Sequence, residues 1–180
     1  MLGCVYSFAV VAFQILEDKY YDRMIQFNYE STRTTLIEIA TFVRSKARID
    51  FSIEDYPEVS VCATIPHGSG KSYLAVDSVN VKEKWLLDSL SLIGWTGKDL
   101  DHLCQLLQQA NCRGVRYYGP PIEGFSQGMC ITYRSNWWIG VWEYIVFPEM
   151  LTPDQLERKP IAYGRTVTIL DPRIGWWSWN

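Results

Sequence analysis

Histidine is scarce in this sequence: His67 and His102 are the only two among 180 residues. The five cysteines, Cys4, Cys62, Cys104, Cys112 and Cys130, include no C-x-x-C pair. Zinc sites draw on Cys and His at short fixed spacing, so no metal site is expected. No motif for an organic cofactor stands out either. A surplus of positive charge is also missing. The chain carries 17 basic and 20 acidic residues, interspersed, for a net charge of −3. Without a basic stripe to follow a phosphate backbone, nucleic acid is excluded as a partner.

Two further absences shape the N-terminal third. Residues 1–16 contain no charge at all, and no Pro or Gly stands between Cys4 and Asp50. The first absence makes this run an apolar anchor or a buried helix. At ~1.5 Å per residue it spans ~24 Å, short of the ~30 Å hydrocarbon core, though Tyr20 and Tyr21 suit the interface. A secretory signal fits less well, because no basic n-region leads the run. The second absence favours helix throughout. Tyr20, Met24 and Phe27 share one face, and Leu36, Ile39, Ala40 and Val43 form another stripe at three-to-four spacing. Residues 17–56 therefore read as an amphipathic continuation, with Pro57 as the first breaker. It is one helix, or two with a joint between Asn28 and Thr35.

What the chain does have is apolar and aromatic mass, 48% hydrophobic and 14% aromatic, enough for a folded core rather than disorder. Residues 57–180 read as a single α+β domain. Val59, Val61, Ala63 and Ile65 alternate as a strand, residues 66–70 supply turn residues, and a strand resumes at Tyr73. Residues 85–93 have helical spacing. Thr96 and Asp99 form a capping box ahead of a helix with Leu100, Leu103, Cys104, Leu107 and Ala110 on one face, and Asn111 suits its C-terminal stop. Strands follow at residues 112–118, 129–134 and 141–147, the last two as a hairpin. Thr152, Pro153 and Gln155 begin a short helix, residues 165–170 form a last strand, and residues 171–180 have no regular pattern. The expected architecture is a long N-terminal helix followed by a mainly antiparallel sheet of five or six strands with one or two packed helices.

Motifs that carry chemistry are few. His67-Gly68-Ser69-Gly70-Lys71-Ser72 ends in Gly-Lys-Ser, but the first Gly of a phosphate-binding loop is replaced by Ile65 and a strand follows where a helix is required. A hydrolase centred on His67 with Ser69 or Ser72 lacks an orienting acid and an elbow motif. The cysteines read as small buried hydrophobes; in an oxidising compartment Cys104 and Cys112 would be the first pair expected to bond. Trp137, Trp138 and Trp142 crowd one strand and offer rings for a ligand or partner. Arg116 and Tyr118, with Arg134, could line a pocket for a carboxylate.

These features point to a non-enzymatic binding or interaction domain tethered to a membrane through residues 1–16. A soluble, cytoplasmic adaptor or immunity-like protein is the alternative, with the same run packed on a protein partner or a second copy. The hydrolase reading stands third.

Overall fold

The structure, a computed structural model, describes residues 2–68, 70–136, 140–158 and 160–179, and the side chains of the first helix from Tyr20 onward. Helix α1 (Leu2–Arg44) opens the chain without interruption. No joint forms between Asn28 and Thr35, because the polar side chains there are satisfied on the buried side. The Asn28 Nδ2 donates to the carbonyl of Ala110 at 3.0 Å and to the Tyr144 hydroxyl at 3.1 Å. The Thr32 hydroxyl donates back to the Asn28 carbonyl at 2.7 Å, the local bond that keeps a threonine inside a helix. Ile25, Leu36, Ile39, Ala40 and Val43 are wholly buried on the same side.

The helix stops at Arg44, well before Pro57, so the helical expectation for residues 17–56 is corrected. Strand β1 (Ile49–Asp55) occupies the difference. Lack of Pro and Gly permits a helix without requiring one. Here Ile49 and Phe51 are buried and Asp50 is exposed, the period of two that sets a strand between an apolar layer and water.

Strands β2 (Glu58–His67) and β3 (Gly70–Asn80) form the expected hairpin. Gly68 takes φ +56° at its turn, which costs a glycine nothing. Helices α2 (Lys84–Ser91) and α3 (Gly97–Gln109) follow. Thr96 and Asp99 make both bonds of the capping box, and Asn111 stops the helix region at φ +52°. Then come β4 (Gly114–Arg116), β5 (Met129–Asn136), β6 (Gly140–Val146) and the capped turn α4 (Pro153–Leu156). The chain closes with β7 (Ile161–Ala162), β8 (Arg165–Thr166), β9 (Thr168–Asp171) and β10 (Ile174–Trp179).

The fold is α+β, as expected, with more strands than expected. Eight strands pair antiparallel in the order β3-β2-β1-β4-β5-β6-β10-β9, and β7 with β8 makes a separate ribbon. The tail expected to be irregular is β10, seated between β6 and β9. Its Trp176 and Trp177 are both buried, one in each of two separate apolar clusters. A strand covered on both faces shows no alternation in its sequence.

Helices α1, α2 and α3 cover one face of the sheet with the larger core. On the opposite face, Ile122, Phe147, Leu151, Ala162 and Val167 cover Cys130, Ile145 and Trp177. This second cover does not reach β1, β2 and β4. The uncovered part of that face is where the polar side chains gather. Polar ties fix α1 to the sheet: Tyr144 bonded to Asn28 and to the Ile25 carbonyl, Arg44 donating to the Val146 carbonyl at 2.6 Å, and Tyr29 with Arg33 on Asp171. No helix among the described residues is long and apolar enough to cross a membrane. The side chains of residues 1–16, on which the anchor expectation rests, lie outside the described residues.

Candidate functional site

Strand β6 carries a glutamate where its neighbours are apolar. Trp142 and Tyr144 point to the helices and are wholly buried, while Glu143 points to the opposite face and is only 1% exposed. Such a group is tolerated only when its charge and lone pairs are matched. Here they are matched by four donors. Arg116 Nε and the Thr132 hydroxyl reach Oε1, each at 3.1 Å; Arg116 Nη2 and, at 3.1 Å, the indole of Trp177 reach Oε2.

The sheet register builds this arrangement. β5 lies between β4 and β6, and it pairs Thr132 with Glu143. β10 places Trp177 directly opposite Glu143 on the other side. Arg116 reaches across from β4, so three neighbouring strands supply the donors. Burial pulls the Arg116 guanidinium toward neutrality, but the adjacent carboxylate outweighs it and raises the pKa above the usual arginine value.

This pair floors a concave cavity of about 390 Å³ on the uncovered sheet face. Asp50 and Ser52 of β1, Ser60 and Cys62 of β2, and Arg113 ahead of β4 line its other sides. Asp50 stands opposite Arg116 in the β1–β4 register, and its Oδ1 accepts the Tyr117 backbone N–H at 2.8 Å. Asp50 and Cys62 also line a smaller depression of about 120 Å³, where the Arg48 guanidinium lies 4.1 Å from the centroid of the Tyr118 ring. The cavity wall thus carries Arg113 and Arg116 against Asp50 and Glu143, a balanced set of charges.

Each residue singled out in the sequence has a definite place. Arg116 is in the cavity. Tyr118 is beside it, half turned to solvent under Arg48. Arg134 lies elsewhere, with its guanidinium 5.6 Å from the Tyr133 ring centroid. Trp142 is core: it is fully buried, with its ring 4.5 Å from that of Tyr21 on α1, and exposes no ring face. Trp137 and Trp138 lie outside the described residues. His67 ends β2, and its side chain lies outside them as well; residues 70–80 form β3, so the Gly-Lys-Ser segment is a hairpin strand and no phosphate loop. His102 packs edge-on against Phe42 at 4.8 Å.

The Cys104–Cys112 pair does not form: Cys62, Cys104, Cys112 and Cys130 are all free thiols. Burial pushes the Cys104 thiol up to about 11 and those of Cys112 and Cys130 higher still. No cluster of potential metal ligands occurs among the described residues.

Glu143, Asp50, Arg113 and Thr132 were not singled out from the sequence. A signal for Glu143 was present, since it is the only charged residue in the run from Trp137 to Phe147. An acid inside an apolar strand is either a partner for a buried base or a misassigned strand. The other three have no sequence mark, because only the register brings them together.

Comparison with protein-family models, with curated proteins and with solved structures finds no match for this chain.

Proposed function

We propose that this protein is a non-enzymatic binding domain, which takes a small polar ligand on the open face of its sheet and is tethered through the start of α1. The observation that carries this reading is the ion pair of half-exposed Arg116 with buried Glu143 at the floor of a 390 Å³ cavity. Ligand sites are concavities of roughly 300–1,000 Å³ with a few fixed polar groups, and this one falls within that range. Catalysis by Glu143 is disfavoured by its own bonding. A general acid or base needs a free oxygen for the substrate proton, and both oxygens of Glu143 are already doubly occupied. The charge-free residues 1–16 supply the tether, with a membrane as its first surface.

A screen of small polar metabolites by ligand-observed NMR tests the binding reading on the full chain and on Ser52→Trp, which fills the cavity from β1. At least one compound should bind the native protein and lose its signal with the variant. A screen without binders, or binders indifferent to Ser52→Trp, refutes the reading. Fractionation tests the tether: recovery with membranes supports it, and full solubility without detergent moves it to a protein partner.

A further inference from the structure

We infer that the ligand of this cavity is a small amphoteric carboxylate, of the size of an amino acid, with its carboxylate on Arg116 and Arg113 and its donor group on Asp50. The inference rests on the reading of the open sheet face as a binding site and adds the chemistry of what binds.

Arg116 meets Glu143 side-on, through Nε and Nη2. A guanidinium has more N–H groups than one carboxylate takes. The end-on fork, made by Nη1 and the second hydrogen of Nη2, has no partner among the described residues. The Arg116 side chain remains 43% exposed where it lines the cavity. A planar carboxylate fits that fork with two parallel bonds. Glu143 cannot follow the ligand, because Thr132 and Trp177 hold it from the sides. The fork is therefore set before the ligand arrives, and little ordering remains to be done on binding.

The charge balance decides the rest of the ligand. Glu143 neutralises one arginine, and the Arg113 cation and the Asp50 anion, whose charge also reaches Arg116, line the same cavity. Arg113 has no side-chain partner among the described residues. Asp50 uses Oδ1 for the Tyr117 backbone and keeps Oδ2 without a hydrogen-bond partner among them. A simple dicarboxylate would satisfy the arginines and be repelled by Asp50. A diamine would do the reverse. A molecule with a carboxylate at one end and an ammonium or hydroxyl a few ångströms away meets both.

Isothermal titration of the full chain with L-alanine, L-glutamine, succinate, putrescine and inorganic phosphate tests this. At least one of the two amino acids should bind more tightly than the other three probes. Arg113→Gln should weaken it tenfold or more with the thermal midpoint unchanged. Asp50→Asn should weaken the amino acid and strengthen succinate, a reversal that loss of folding cannot produce. Preference for putrescine, succinate or phosphate overturns the inference, as does failure of both amino acids to bind. If the metabolite screen has by then found a ligand displaced by Ser52→Trp, the binding reading stands and only the ligand class falls. If the screen finds none, both fall.

Discussion

Replacing Glu143 with glutamine changes one atom and should cost far more than a surface change. The side chain keeps its shape, so packing against Trp177 and Thr132 is retained. What changes is that one oxygen becomes an NH2 group facing donors. Placed at the Oε2 position, it opposes Arg116 Nη2 and the Trp177 indole, neither of which can accept. Placed at Oε1, it opposes Arg116 Nε and the Thr132 hydroxyl. The hydroxyl can turn to accept, so this second orientation is the better one, and it still leaves Arg116 Nε against a donor.

Breaking a buried ion pair from one side costs ~3–5 kcal/mol. The Arg116 side chain is 43% exposed and can recover water, which lowers the expected loss to about 2–4 kcal/mol. Against a typical total stability of ~5–15 kcal/mol, urea unfolding resolves this easily. Two companions sharpen the test. Trp177→Phe removes one donor to a charged acceptor and also leaves part of the indole's space empty, so it should lose about 2–3 kcal/mol. Combining Glu143→Gln with Arg116→Met should cost less than the two single losses added together, since both substitutions break the same pair of bonds. A loss of under about 1 kcal/mol for Glu143→Gln, or single losses that simply add in the double variant, would refute the account of Glu143 as a fully bonded carboxylate.

Three other outcomes follow from the geometry. Burial alone would push the Asp171 carboxyl up, but bonds from Tyr29, the Arg173 backbone and Arg33 hold it below its ordinary 3.8. The stability it contributes is therefore complete above that ordinary value and is lost as pH falls through the depressed one; the gap in urea midpoint between native protein and Asp171→Asn should be constant from about pH 5 upward and close in stronger acid. Among Cys62, Cys104, Cys112 and Cys130, iodoacetamide should modify half-buried Cys62 first in the native state, as read by mass spectrometry, because the other three are buried and burial holds their thiols protonated. Gly114→Ala should destabilise by about 1–3 kcal/mol in the same urea assay, since its Cβ would stand 2.7 Å from the Phe51 carbonyl, whereas Asn111→Gly, at φ +52°, should be close to neutral.

The parts of this fold that were legible in the sequence are those governed by near neighbours. The capping boxes at Thr96–Asp99 and Thr152–Gln155 formed as spaced, because each needs only four consecutive residues to agree. The β2–β3 hairpin was legible for the same reason: alternation on each side and glycines between. Strand β1 was not, since nothing in residues 45–55 forbids a helix, and its choice is made by pairing with β2 and β4. Strand β10 was hidden by burial on both faces. The cavity was legible only in Arg116. Its other charged members come from β1, from the residue before β4 and from β6, separated by long stretches of chain and joined by a register no local pattern reports.

Strand β6 shows why the aromatic cluster drew attention to the right segment for the wrong reason. Its rings suggested a stacking surface, yet Trp142 and Tyr144 are the residues that hold α1: one packs on Tyr21, and the other donates to the Ile25 carbonyl at 2.6 Å and accepts from Asn28. The period of two then sends the residue between them to the opposite face, and that residue is Glu143. The helix attachment and the cavity floor are thus adjacent positions of one strand. A large side chain on the helix face and a carboxylate on the other both require β6 to sit in a single register, because a slip of one residue would bury Glu143 against α1 and turn Tyr144 into the cavity. The charged pair that floors the cavity and the aromatic pair that seats the helix therefore enforce the same alignment, and the sheet cannot form one correctly without the other.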